Sequence, residues 1–500
     1  MSATIAVRPA PPIAKPDQLF IGGEWVAPST DAKLDVIAPA TEELYLSVAE
    51  AQEKDVERAV AAARAAFDHG PWPRLSPQGR AGYMRRIAEA LRSRVDDIAE
   101  TWPNEMGVLH SLALAFVATV PDTFDYYADM ADRFAWEERH VPGGGGAIGL
   151  LVREPVGVVA AIIPWNGPIL QIVQKVGPAL LAGCTVIIKT SPEAPAAPYI
   201  FAEAVEAAGL PKGVISVLTA DRAVSEALVR NPGVDKISFT GSTAAGRRVA
   251  SLCGERIARY TLELGGKSAA VIMDDYDIQA AADTISGGIC AMSGQICSAL
   301  TRVIITRDRH DDLVDALKTN FSKVIVGDPF DPSVTMGPVA MRRQRDRIEA
   351  LLAQGIAEGA ELVTGGGRPN HLNRGFYIEP TIFANVDNSS TLAQEEIFGP
   401  VLSVIAADDE DHAIRLANDS IYGLNNSVFS NDPDRAYAAA RKLQSGMVGH
   451  NAWRTEFSIA FGGFKQSGIG REGGLQGILP YTEAKTIIMN ELPTHVRMPA

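Results

Sequence analysis

Glu263 and Cys297 are the residues with the most chemistry to offer. Glu263 opens the run E-L-G-G-K (Glu263–Lys267), and Cys297 closes G-Q-I-C (Gly294–Cys297). A thiolate can attack an electrophilic carbon to form an acyl-enzyme, and a carboxylate can then activate water to release it. A thiol of ordinary pKa, about 8.5, is only a few per cent ionised at neutral pH, so a lowered pKa or a base has to help. Between the two, Ser268–Met273 predicts a strand and Asp277–Met292 a helix. A helix running back along its strand would return the chain to its starting point and bring the two groups together. Gly265, Gly266 and Gly294 permit close backbone approach on either side.

Other turns carry further candidates. P-W-N-G-P (Pro164–Pro168) offers the Asn166 amide to a developing oxyanion and the flat face of Trp165. Alone it reads equally as a rigid turn whose Asn caps a helix. F-T-G-S-T-A-A-G (Phe239–Gly246) sets glycines and hydroxyls where a strand gives way to a helix, a place that favours phosphate. It is neither G-x-G-x-x-G nor a P-loop, because Arg247–Arg248 stands where Lys and Ser/Thr belong. Lys189 and Glu193 could reach ribose hydroxyls or be solvated surface charges, and E-I-F-G-P (Glu396–Pro400) adds a second carboxylate beside an aromatic turn.

The elements that would position these residues alternate. Val156–Ile163, Thr185–Ile188, Gly213–Leu218 and Lys236–Phe239 predict apolar strands, with helices to Leu181, at Ala197–Ala208, at Ala223–Val229 and after Gly241. That alternation implies a parallel sheet covered on both faces, with ligands beyond the carboxyl ends of its strands. A second alternating region has strands at Ala269–Met273, Thr301–Thr306, Val401–Ala406 and Ser427–Ser430. Upstream, Phe20–Val26 predicts a hairpin, while Glu53–His69, Pro77–Met106 and residues 107–140 predict helices. Gly462–Gly474 reads as a surface loop and Thr482–Met489 as a late strand that pairs with another domain or subunit.

Five hundred residues predict two or three domains. With 46% hydrophobic and 21% charged residues and a mean hydropathy of +0.04, the composition is that of a soluble globular chain. A net charge of −14 argues against nucleic-acid or anionic-membrane partners. The four cysteines, Cys184, Cys253, Cys290 and Cys297, lack C-x-x-C or metal-ligand spacing, so no metal site is expected and a reducing, cytoplasmic compartment is. No apolar run reaches the roughly 20 residues of a membrane span. Residues 1–16 read as a disordered arm.

Six motifs in order, P-W-N, F-T-G-S-T, E-L-G-G-K, G-Q-x-C, E-x-F-G-P and a late N…F-G-G-F-K-x-S-G-x-G-R-E, closely resemble the NAD(P)-dependent aldehyde dehydrogenase superfamily from Phe20 to Leu492. The resemblance implies an α/β fold: a parallel-sheet, Rossmann-like cofactor domain (1–134 and 154–262), an α/β catalytic domain (263–470) and a small β oligomerisation element (135–153 and 471–500). It implies oxidation of a small-molecule aldehyde to an acid through a cysteine thiohemiacetal and thioester, in a homodimer or homotetramer. Cys297 would be the nucleophile, Glu263 the general base and Asn166 the oxyanion donor, with Lys267 supporting. Trp165, Lys189, Glu193, Gly241, Ser242, Gly246, Leu264, Glu396 and Phe398 would hold the dinucleotide. Gln171, Gln174, Ile296, Ser298, Asn451 and Arg454 would face substrate. Pro192 stands where the family commonly has a ribose-binding Glu, and Glu193 follows it; NAD is favoured, with NADP possible. Gly167 and Gln174 stand where many relatives have aromatics, which predicts a broader, more polar tunnel unless Gln171 and Gln174 face solvent. A CoA-acylating branch generally lacks the carboxylate that Glu263 supplies, and a non-catalytic scaffold would have lost Cys297, Glu263 or Asn166.

Overall fold

The computed structural model describes residues 10–493. Two large sheets organise it. The first has eight strands in the order Gly468–Ile469, Arg259–Glu263, Lys236–Thr240, Val158–Ile162, Thr185–Thr190, Ile215–Thr219, Leu19–Ile21 and Glu24–Val26. Its five central strands are parallel, and the others close its edges antiparallel. From Val158–Ile162 the chain first winds one way, to Thr185–Thr190 and Ile215–Thr219, and then returns to add Lys236–Thr240 on the other side. The switch point therefore lies between Val158–Ile162 and Lys236–Thr240, where Ile162 pairs with Phe239. The turns Pro164–Pro168 and Gly241–Thr243 emerge there side by side, as expected of a ligand crevice.

The second sheet has seven strands: Glu361–Thr364, Thr381–Ala384, Val401–Ala407, Leu300–Thr306, Ser268–Ile272, Asn425–Phe429 and Met447–His450, parallel except for the first. Ser268–Ile272, the helix Ile278–Cys290 and Leu300–Thr306 form one βαβ unit. The helix carries the chain back, so Lys267 and Cys297 both precede the amino ends of neighbouring parallel strands.

The helix Pro168–Ala182 connects the switch point to the core. Every residue in it but Leu170 and Gln171 is buried, because it lies between the first sheet and the helices Pro77–Arg92 and Val120–Asp129. Pro168 pre-sets its first turn, and Gly183 ends it at φ +100°. Gly177 has no side chain because the Tyr127 ring packs against its Cα.

Several expectations are corrected. Pro77–Met106 is two helices, Pro77–Arg92 and Val95–Met106. Residues 107–140 are two short helices, His110–Val117 and Val120–Asp129, followed by the strand Glu137–His140, whose charged sequence concealed a pairing with Ile148–Pro155. Thr482–Met489 pairs antiparallel with the other edge of Ile148–Pro155, in its own chain. Of the arm expected at 1–16, residues 1–9 lie outside the described residues, as does 494–500 of the last segment. Its described part is docked: Arg94 donates to Pro12 O at 2.7 Å, and Ala14 N to Glu203 at 2.7 Å. Gly462–Gly474 is a surface loop only in part: Phe464, Lys465, Gln466 and Ile469 are exposed, whereas Ser467 and Glu472 are buried at 0% and 2% exposure. Its glycines lie against backbone, Gly468 on Leu262 and Gly473 on Phe457, where a Cβ would collide.

Candidate active site

Cys297 sits after a strained corner. The helix Ile278–Cys290 runs into a 3-10 turn, Ala291–Gly294, in which Met292 and Ser293 take φ +50° and +53°. Such backbone persists only where surroundings hold it. Here the Ser293 hydroxyl donates to Gly337 O at 2.8 Å, and buried Gln295 donates to Met292 O at 3.0 Å while accepting from Ala340 N at 2.9 Å. Cys184, Cys253 and Cys290 are buried, whereas Cys297 opens to a cavity of about 550 Å³. Burial, then Glu396 and Glu263, push the Cys297 thiol up to about 12, against the backbone N–H groups of Cys297 and Ser298, which favour the thiolate. The resting group is a thiol, so attack requires a base to take its proton.

Glu263 is the last residue of Arg259–Glu263 and lies 3% exposed with neither carboxylate oxygen hydrogen-bonded. A Cβ on Gly462 would come within 2.7 Å of its Oε1. Burial, and then the neighbouring Glu472, raise its pKa well above the usual carboxylate range, opposed by Lys175 and Arg471. An unpartnered carboxylate of raised pKa is suited to accepting protons near neutrality. Glu472 is itself ion-paired with Lys175, both almost wholly buried, and Lys175 Nζ also donates to Thr240 Oγ1 at 2.6 Å. Sequence reasoning missed this pair. The visible signals were a lysine inside an apolar helix and the glutamate closing the late glycine-rich motif.

Asn166 is held from both ends: its carbonyl accepts from Trp102 Nε1 at 3.1 Å, and its Nδ2 donates to Gln295 O at 3.0 Å. A primary amide keeps a second N–H, available to an oxygen at the Cys297 end of the cavity. Ile296, Ser298, Gln171 and Gln174 line the same cavity. Asn451 and Arg454 do not. Asn451 clamps Ser430, accepting its N–H and donating to its carbonyl at 2.9 Å each, and Arg454 is exposed. Gln171 and Gln174 face the cavity rather than bulk solvent, yet the walls are rich in aromatics: Trp102, Phe116, Tyr126, Trp453, Phe457 and Phe461. Rings supplied by other segments replace those absent at Gly167 and Gln174, so the polar tunnel is confined to a few amides and the rim.

On the other side of Cys297, Glu396 receives the Gly266 N–H at 3.2 Å, and burial raises its pKa to about 7. Phe398 adopts φ +59° and sets its ring edge-to-face with Trp165 at 5.3 Å. Gly241 N donates to Glu263 O at 3.1 Å, a Cβ on Gly241 would meet the Phe239 ring at 2.5 Å, and Ser242 caps the helix Thr243–Arg256 through Ala245 N at 3.3 Å. Gly246 admits the Leu264 side chain. Lys189, near the carboxyl end of the adjacent parallel run, is 8% exposed, and burial lowers its pKa to about 8. A helix N-terminus, a glycine cradle, a buried lysine and a pair of rings fit a dinucleotide's pyrophosphate, ribose and nicotinamide. Glu193, held by Ser191 Oγ and Arg343, lies near enough to Lys189 to offset part of the lysine's lowered pKa. Lys267 Nζ is buried without a hydrogen-bond partner, and desolvation, then Arg302, bring its pKa down to about 7.

Residues 25–487 match the family model described as the aldehyde dehydrogenase family. The chain is 42% identical over 475 residues to geranial dehydrogenase of Castellaniella defragrans, covering 94% of this chain and 98% of that one. Among solved structures, an aldehyde dehydrogenase of Mycobacterium tuberculosis complexed with NAD+ superposes with a TM-score of 0.93 at 42% identity, covering 96% and 99% of the two chains. A mutant aldehyde dehydrogenase of Pseudomonas syringae complexed with NAD+ and octanal gives 0.92 at 38% identity, over 96% and 99%. With P-W-N, G-Q-x-C and the late F-G-G meeting at one cavity and the match running almost end to end, this chain belongs to the aldehyde dehydrogenase family.

Proposed function

We propose that this chain oxidises an aldehyde to a carboxylic acid with NAD, using Cys297 as nucleophile. The observation that carries the reading is the Cys297 thiol at a cavity wall shared with the Asn166 amide, with Glu263 and Glu396 close enough to raise its pKa. Glu263 takes the thiol proton as sulfur adds to the aldehyde carbon, and the oxyanion so formed meets Asn166 Nδ2 and the Cys297 N–H. Lys189, Ser242, Trp165, Glu396 and Phe398 would hold NAD, which when bound would supply the acceptor for the hydride of that carbon. Glu263 must first shed the thiol proton; as a carboxylate again it takes one from water as the water oxygen attacks the thioester, and the acid leaves as the sulfur is released. The Lys175–Glu472 pair beside Glu263 offers a path for the surplus proton. An aldehyde panel assayed with NAD and NADP, without CoA, tests this: NADH and acid formation are expected. Strict dependence on CoA, or turnover surviving Cys297→Ala, overturns it.

The chain's compartment is proposed to be the cytoplasm. Among the described residues, no helix is long and apolar enough to cross a membrane. Self-association through the sheet of Glu137–His140, Ile148–Pro155 and Thr482–Met489 is supported by its exposed apolar side chains, Ile488 at 57% and Met489 at 38%, and by Val141 just beyond the first strand. Scattering that gives a monomer mass would overturn it.

A further inference from the structure

The helix that positions Asn166 carries two amides whose orientation its neighbours decide. Gln171 Oε1 accepts from Thr240 Oγ1 at 3.1 Å, and Gln174 Oε1 accepts from the Tyr127 hydroxyl at 2.8 Å. Lys175 Nζ donates to one lone pair of Thr240 Oγ1, and the Thr240 proton goes to Gln171. The Tyr127 oxygen receives the Gly473 backbone N–H, so its own proton goes to Gln174. Both amides therefore turn their NH2 groups away from these anchors. Neither nitrogen has a hydrogen-bond partner among the described residues, and neither is sealed from open space. Both residues line the cavity that Cys297 enters.

Two oriented amide donors in a wall of rings and small hydroxyls discriminate, since an apolar substrate that displaces water from them leaves them unpaired. No Lys, Arg or His lines the cavity among the described residues, and Asp122 and Glu456 stand at its exposed rim. A carboxylate tail is thus disfavoured and a neutral acceptor favoured. Gln171 and Gln174 lie in the first two turns of the helix that follows Asn166, about 4.5 Å apart along its axis.

Resting on the reading above, we propose that Gln171 and Gln174 are specificity-determining residues that select aldehydes with an apolar body and a neutral hydrogen-bond acceptor, such as a ketone or ether oxygen, midway along the chain.

The test compares kcat/KM for nonanal with that for 4-, 6- and 8-oxononanal, in the native enzyme and in Gln171→Leu and Gln174→Leu. At least one keto isomer is expected to exceed nonanal by about fivefold or more, with the ratio falling toward one in either variant. If nonanal is oxidised but no keto isomer exceeds it, the inference fails while the aldehyde dehydrogenase reading stands. A keto preference unchanged in both variants removes the assignment to these residues. If no aldehyde is oxidised at all, the underlying reading fails as well. Should a variant not fold, the positional series in the native protein decides.

Discussion

The two sides of Cys297 are built from opposite materials. Toward the cavity stand aromatic rings and amides. Away from it stand two buried carboxylates, Glu263 and Glu396, among glycines that admit no side chain. The carboxylates differ in turn. Glu263 has no hydrogen bond and leans toward the Lys175–Glu472 pair, whereas Glu396 is tied by Gly266 N–H and sits beside the Phe398 turn. A group left free to change protonation can do chemistry, and a tied one holds geometry.

The sharpest way to break the comparison is to remove what both sides serve. Cys297→Ala is expected to lower kcat by at least about a thousandfold, measured as NADH formation, while NAD binding by calorimetry persists. Next, Glu263→Gln should slow turnover by about a hundredfold or more, with the loss already visible in the first turnover, because the group that takes the thiol proton is gone before acylation; raising the pH, which ionises the thiol without a base, should restore a burst of NADH. Glu396→Gln keeps that base, so its first turnover should not recover with pH in this way, and matching pH responses would erase the distinction. Lys175→Met leaves Glu472 buried and unpaired, which costs about 3–5 kcal/mol of stability and lowers the melting temperature; an unchanged melting temperature would place that pair in solvent. The smallest effect concerns pH. Glu396 binds its proton more tightly folded, at about 7, than unfolded, so it stabilises least at high pH. Stability should decline as pH rises from about 4.5 through about 7. Glu396→Gln removes that decline, a gain approaching about 3 kcal/mol at pH 8.5 and none at pH 4, read from melting curves at both pH values.

Much of this site was legible. Cys297, Glu263 and Asn166 each lie in a short run whose glycines, prolines and polar residues mark a turn at a strand end, and such turns are local. What was illegible was long-range. Lys175 and Glu472 are separated by almost three hundred residues, and each alone reads as a surface charge. Asn451 was read as a substrate contact because of its place in a motif, but its side chain closes a backbone loop at Ser430. Gly462–Gly474 looked like solvent-exposed loop throughout because composition cannot distinguish glycines chosen for flexibility from glycines chosen for contact. The cavity's aromatic wall escaped notice because its rings come from two distant stretches of chain, 102–126 and 453–461.

By itself, the sequence determined the alternating strands and helices, the family and the groups proposed to react, because periodicity and turn chemistry are written within a few residues. Tertiary structure alone decided which charges are buried together, which way each amide points and what lines the cavity. Those properties depend on desolvation and on donors and acceptors brought in from distant segments.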